Sequence, residues 1–148
     1  MKPLFDREKL DVYQEAIAFC GWVGEFLETI SGKAAAKDQL DRASTSIPLN
    51  IAEGNGKFSQ RDRVRFLEMA RGSALECAAC LGVLVARRLT TVECVTAAKE
   101  QLVRIVQMLV GLLRRFSERA DVLREDEGGY WIEYEHDHEQ EHESKCPN

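Results

Sequence analysis

The densest cluster of chemistry-bearing side chains is basic: Lys57, Arg61, Arg63 and Arg65 follow the turn signal Gly54-Asn55-Gly56, and Arg71 lies further along. Ammonium and guanidinium groups at this density suit phosphate oxygens, to which they make charge-assisted hydrogen bonds. On a helix, however, every second residue is turned by about 200°, so Arg61, Arg63 and Arg65 cannot all share one face. Part of the cluster must be structural or face a partner chain. The patch as a whole reads either as a nucleic-acid contact or as ordinary solvated surface.

A second constellation is polar: Arg42, Ser44, Ser46, Asn50 and Glu53, with Ser73 and Glu76 downstream. A buried Arg or Glu needs a partner. Arg42 paired with Glu76, and Asn50 with backbone or Glu53, would form an internal network that fixes helix register, a packing role rather than a chemical one. Gly72 sits in mid-helix beside Ser73 and Ala74, where glycine costs up to about 1 kcal/mol relative to alanine. That cost implies a second helix approaching closely there.

Metal and nucleophilic chemistry lack their parts. A di-metal carboxylate bundle needs Glu-x-x-His pairs, and no histidine precedes His136. No Gly-x-Ser-x-Gly elbow or phosphate-binding glycine loop is present, so the body is expected to be non-enzymatic and to hold no cofactor. Cys77-x-x-Cys80 stands alone within a helix and reads as core. His136, His138, His142 and Cys146 alternate with acids, but a polar tail offers no fixed coordination geometry, and no metal function is expected of them.

Four amphipathic segments must position these residues. The first places Tyr13, Ala16, Cys20, Val23, Leu27 and Ile30 at spacings of three and four, with Val12, Phe19 and Phe26 widening the stripe, and Ser31-Gly32 as its stop. The second, about 34 to 53, carries Leu40, Ala43, Ile47 and Ile51, with Gly54 as C-cap. Pro48 predicts a kink inside it, where Ser44 and Thr45 could satisfy the freed carbonyls. Ser59 and Asp62 open a third helix with Phe66, Met69, Ser73, Cys77, Cys80 and Leu84 on one face. Thr90 and Glu93 open the fourth, striped by Val95, Ala98, Leu102, Ile105, Leu109, Leu112 and Phe116. Helices of about 20 to 28 residues with short connections predict an all-α, antiparallel up-down-up-down four-helix bundle. Val106, Val110, Leu113, Phe19 and Phe26 lie beyond the seam and imply either self-association or a wider internal core.

Composition sets the outer bounds. With 148 residues, 45% apolar and 30% charged, the chain fits one domain and is neither collagen-like nor wholly disordered. Ten Gly and three Pro are too few for a sandwich or barrel of many short strands. No uninterrupted apolar run approaches a membrane span, and the first ten residues carry charges without a following apolar stretch, so a cytoplasmic protein with no membrane partner is expected. Five cysteines then read as reduced thiols. Residues 121 to 148 hold ten of the 25 acids and two of the 20 bases, which leaves a bundle of residues 1 to 120 at +3 beside a tail at −8. That tail is expected to be mostly disordered, with Tyr130-Trp131-Ile132-Glu133-Tyr134 as a stretch able to dock on the bundle or a neighbouring subunit.

The residues Gln39-Leu40-x-Arg42-Ala43-Ser44-x-Ser46-Ile47-Pro48-x-Asn50-Ile51-Ala52-Glu53-Gly54-x-Gly56, followed by Arg65-Phe66-Leu67-x-Met69-Ala70-x-Gly72-Ser73-Ala74-x-Glu76-Cys77, resemble the 23S rRNA intervening-sequence family of bacterial four-helix bundles. The resemblance runs from Leu10 to about Phe116 and extends to the accessory variability proteins of diversity-generating retroelements. It implies a homopentameric ring and, for the retroelement relatives, binding of a reverse transcriptase and structured RNA through a basic surface. The long acidic tail departs from the compact family pattern. The function expected on this basis is a non-catalytic, oligomeric RNA-binding or RNA–protein scaffold, with Lys57, Arg61, Arg63, Arg65 and Arg71 as phosphate contacts. The competing expectation is a protein-interaction module without nucleic acid.

Overall fold

The computed structural model describes residues 2–124. After a short 3₁₀ turn, Asp6–Lys9, four helices follow: α1 (Asp11–Glu28), α2 (Ala35–Asn55), α3 (Gln60–Ala86) and α4 (Val92–Arg124). Each packs against its neighbours in sequence, and α4 closes back on α1, while the backbones of the diagonal pairs stay more than 8 Å apart between Cα atoms. Short connections make neighbours antiparallel, so the fold is the expected all-α four-helix bundle. The most extensive contact is between α2 and α3 and the least between α1 and α4. Helix lengths of 18, 21, 27 and 33 residues spread more widely than expected. α4 runs on to Arg124, past the break anticipated after Ala120. Residues 125–148 lie outside the described residues, and with them most of the acidic tail, its aromatic stretch, His136, His138, His142 and Cys146.

The core register differs from the sequence reading in two helices. On α1 the buried seam is Val12, Ala16, Phe19, Val23 and Phe26, whereas Tyr13, Cys20 and Leu27 flank it half-buried. On α3 the core face is Leu67, Ala70, Ala74, Cys77, Cys80, Leu81 and Leu84. Phe66 and Ser73 stand at its edge, and Met69 is 50% exposed. The stripes of α2 and α4 bury as expected, except that Leu113 goes inside while Leu112 and Phe116 pack at the margin. Phe19, Phe26 and Leu113 are thus interior, and Val106 and Val110 half-buried, so of the two alternatives the wider internal core accounts for these residues. The most apolar window of α3 reaches a mean hydropathy of 1.5, long and apolar enough to cross a membrane, a test that a core helix between α2 and α4 also passes.

Pro48 is accommodated inside a continuous α2. It has no N–H, so the carbonyl one turn back, that of Ser44, loses its helical donor. The Cys20 thiol of α1 donates to that oxygen at 3.1 Å. Ser44 and Thr45 do not serve it: both hydroxyls donate to the Asp41 carbonyl, at 2.9 and 3.0 Å. Nor does Gly54 cap the helix, which continues to Asn55 and ends on Gly56 at φ −83°. Gly54 is instead the point of closest approach to α3, where a Cβ would lie 3.1 Å from Phe66 Cβ and 3.3 Å from the Arg63 carbonyl oxygen. No such approach exists at Gly72, whose added Cβ would meet nothing within 4 Å.

The helix starts are set by hydroxyls. Ser59 accepts from the Asp62 N–H at 3.1 Å, as expected, and Thr91 rather than Thr90 accepts from the Cys94 N–H at 3.3 Å. α3 ends with Arg88 at φ +59°, where the Leu89 N–H reaches back to the Leu84 carbonyl at 3.0 Å and that of Arg88 to Val85 at 2.9 Å. This is a Schellman closure with arginine in the position that usually holds glycine.

Candidate nucleic-acid interface

The α2–α3 turn and the first turns of α3 sort the basic residues by helical angle. Arg61 and Arg65, four residues apart, share one face, and both are exposed. Lys57 joins them from the turn: its Nζ lies 5.0 Å from the centre of the Phe66 ring, and the Arg65 guanidinium carbon lies 5.1 Å from it. Two cations from different elements are held against one aromatic ring. Lys57 also stands 3.9 Å from Glu53, a contact between exposed groups that contributes little. The N-terminus of α3 adds its own partial positive charge to this end of the bundle.

Arg63 is occupied otherwise. Its Nε donates to the Lys57 carbonyl at 2.8 Å, and its guanidinium sits over Phe116 of α4, 5.5 Å from the ring centre. It ties the turn to the end of α4 beside a cavity of about 30 Å³ bounded by Leu10, Ile51 and Leu67. Arg71 lies two turns further along α3, 4.0 Å from Glu68, with its Nε buried and unpartnered. The cluster therefore divides: Lys57, Arg61 and Arg65 converge, whereas Arg63 is held inward and Arg71 is displaced.

The sequence reading missed Phe58. It follows Lys57 in the turn and is fully exposed, at 103% of its reference surface. An aromatic interleaved in a basic run is a nucleic-acid signal in sequence, and here it lay outside every helical stripe and went uncounted.

The polar constellation is arranged differently from the expectation. Arg42 does not pair with Glu76; Gln39 stands between them, accepting from Arg42 at 3.2 Å and donating to Glu76 at 2.7 Å, all three exposed. Asn50 donates to the carbonyl and hydroxyl of Ser46, both at 2.9 Å, and not to Glu53. Ser73 donates to the Met69 carbonyl and approaches Ser46 Oγ, each at 3.0 Å, which completes an α2–α3 clasp. Above it an open groove is lined by Arg42, Leu49, Asn50, Phe66 and Met69.

Among the described residues, half-buried Cys20 clusters with buried Cys77 and Cys80. Burial pushes Cys77 up to about 12, aided by the neighbouring Cys80 and Cys20 thiols, and burial likewise raises Cys20 and Cys80. Protonated at neutral pH, they behave as small apolar side chains.

The family model described as 23S rRNA-intervening sequence protein matches residues 8–111. Among solved structures, the chain is similar to a protein with unknown function from the S23 ribosomal protein family from Bacteroides thetaiotaomicron. The two share 21% identity and a TM-score of 0.66, with 69% of this chain and 97% of that chain covered. This second likeness supports the fold alone. No curated protein matches the chain.

Proposed function

Since this chain belongs to the 23S rRNA-intervening sequence protein family, we propose that it is a non-catalytic RNA-binding scaffold that assembles with copies of itself and engages phosphates through Lys57, Arg61 and Arg65. The observation that carries this reading is the convergence of these three cations at one end of the bundle. Lys57 and Arg65 are held near each other by Phe66, and Arg61 stands one turn from Arg65. Phosphate contacts of this kind position a nucleic acid without reading its sequence. Arg63, expected to join them, is held against Phe116 instead, and Arg71 lies further along α3 beside Glu68.

Salt-dependent RNA binding tests the reading. With three contacts per subunit, the log–log slope of affinity against salt should be roughly −2, and Lys57→Ala, Arg61→Ala and Arg65→Ala together should flatten it. Repetition of the site in an assembly would multiply weak single contacts through avidity. An accessory role beside a reverse transcriptase fits the same surface. A second reading, a protein-interaction module, is favoured by Leu49 and Met69, which are 59% and 50% exposed along the α2–α3 groove. Binding of a partner protein that survives the triple substitution, with no RNA binding by the intact chain, would select it.

A further inference from the structure

We propose that Phe58 is a base-stacking platform, which makes the Lys57–Arg61–Arg65 surface a site for single-stranded rather than duplex RNA; this rests on the RNA-binding reading above. The starting point is an aromatic side chain with no role in the bundle. Phe58 is fully exposed, although burying a phenylalanine is worth about 1.5–3 kcal/mol.

Its position explains why nothing local covers it. Ser59 is the N-cap of α3, so Phe58 occupies the preceding site, from which an apolar residue ordinarily packs on the fourth residue of the helix. That residue is Arg63, whose guanidinium is drawn away to the Lys57 carbonyl and the Phe116 ring. The staple is absent, and the ring of Phe58 faces water in the turn that carries Lys57, one residue before the Ser59 cap and three before Arg61.

An exposed aromatic next to cations that track a phosphate backbone is the combination by which proteins hold single strands: bases stack on the ring while the backbone is neutralised. In an A-form duplex the bases are already stacked on one another, and a side-chain ring has no free base face to meet. Every base offers a π-face, so the site should tolerate sequence.

The test uses the full chain, a uridine oligonucleotide of about a dozen residues, and an RNA duplex of the same length. Wild type should bind the single strand more tightly than the duplex. Phe58→Ala should weaken single-strand binding about 5- to 150-fold while leaving duplex affinity and the salt slope unchanged. Phe58→Trp should keep the affinity, and the fluorescence it adds should be quenched by the oligonucleotide. If Phe58→Ala binds the single strand as wild type does while the triple basic variant loses it, stacking is overturned and the RNA-binding reading stands. If wild type binds neither RNA, that reading fails and stacking with it. If Phe58→Ala lowers the assembly mass in light scattering without touching single-strand affinity, the ring belongs between copies of the chain and the proposal is overturned.

Discussion

Cys20 on α1 donates its thiol to the Ser44 carbonyl of α2, the acceptor left open because Pro48 has no N–H. An unsatisfied carbonyl in this setting costs about 1–3 kcal/mol, so Cys20→Ala should lower stability by roughly that lower figure or more. In a Pro48→Ala background the alanine N–H can serve Ser44, and the same change should cost less. A double-mutant cycle by denaturant melting checks this, and strict additivity would show that the thiol contact contributes nothing. The buried thiols also set a pH dependence. Cys77 holds its proton to about 12 in the fold, against an ordinary value near 9, so the folded chain binds more protons than the unfolded one between those limits. Its contribution is therefore intact below pH 9 and is lost as pH rises toward 12. Cys77→Ala should make the alkaline decline in stability shallower. At pH 8, iodoacetamide should modify exposed Cys94 and leave Cys77 untouched until the protein is denatured.

At the scale of the elements, two glycines in helices predict opposite signs. Gly72→Ala adds a methyl to open space on α3 and should stabilise by up to about 1 kcal/mol through helix propensity. Gly54→Ala gains the same propensity but drives a methyl against Phe66 Cβ and the Arg63 backbone, and should be net destabilising by about 1 kcal/mol. Thermal melts of the pair decide it; equal signs would contradict the α2–α3 approach. This contrast also marks how far the sequence was legible. The four helices, the Ser59 cap, the core of α2 and that of α4 as far as Leu109 follow from spacing, because there the large apolar residues recur every three or four positions on one face. On α1 two adjacent faces are both apolar, Tyr13-Cys20-Leu27 and Val12-Phe19-Phe26, and the neighbouring helices choose between them. On α3 spacing favours the large Phe66 and Met69, yet close packing selects Ala70 and Ala74 for the interior and pushes the larger side chains to the edge. The same limit governs the site: alternation already split the arginines by angle, but which of them faced solvent depended on Phe116, which comes from α4, about 50 residues further on in sequence.

For the whole molecule, charge is divided along the chain, and assembly would multiply that division. If the proposed scaffold is the five-membered ring that the family resemblance implies, light scattering should give five times 16.7 kDa, and a clean monomer would remove the avidity on which weak phosphate contacts depend. Each subunit would then bring one copy of the Lys57–Arg61–Arg65 surface together with the acids of the C-terminal segment. Residues 125–148 contain nine acids and one base, so truncation after Arg124 removes a net −8 and keeps every described helical residue. On the proposed reading, such a segment would compete with RNA for the same cations and repel the incoming phosphates. Removing it should strengthen RNA binding by roughly tenfold at low salt, mainly through a faster on-rate. The difference should shrink as salt is raised, because a Debye length of about 10 Å at 0.1 M screens charges that are not in contact. Binding kinetics of the full and truncated chains at two salt concentrations separate the outcomes. A gain that persists unchanged at high salt would mean that the segment acts by covering the surface rather than by its charge, and a loss of affinity would make it part of the RNA site.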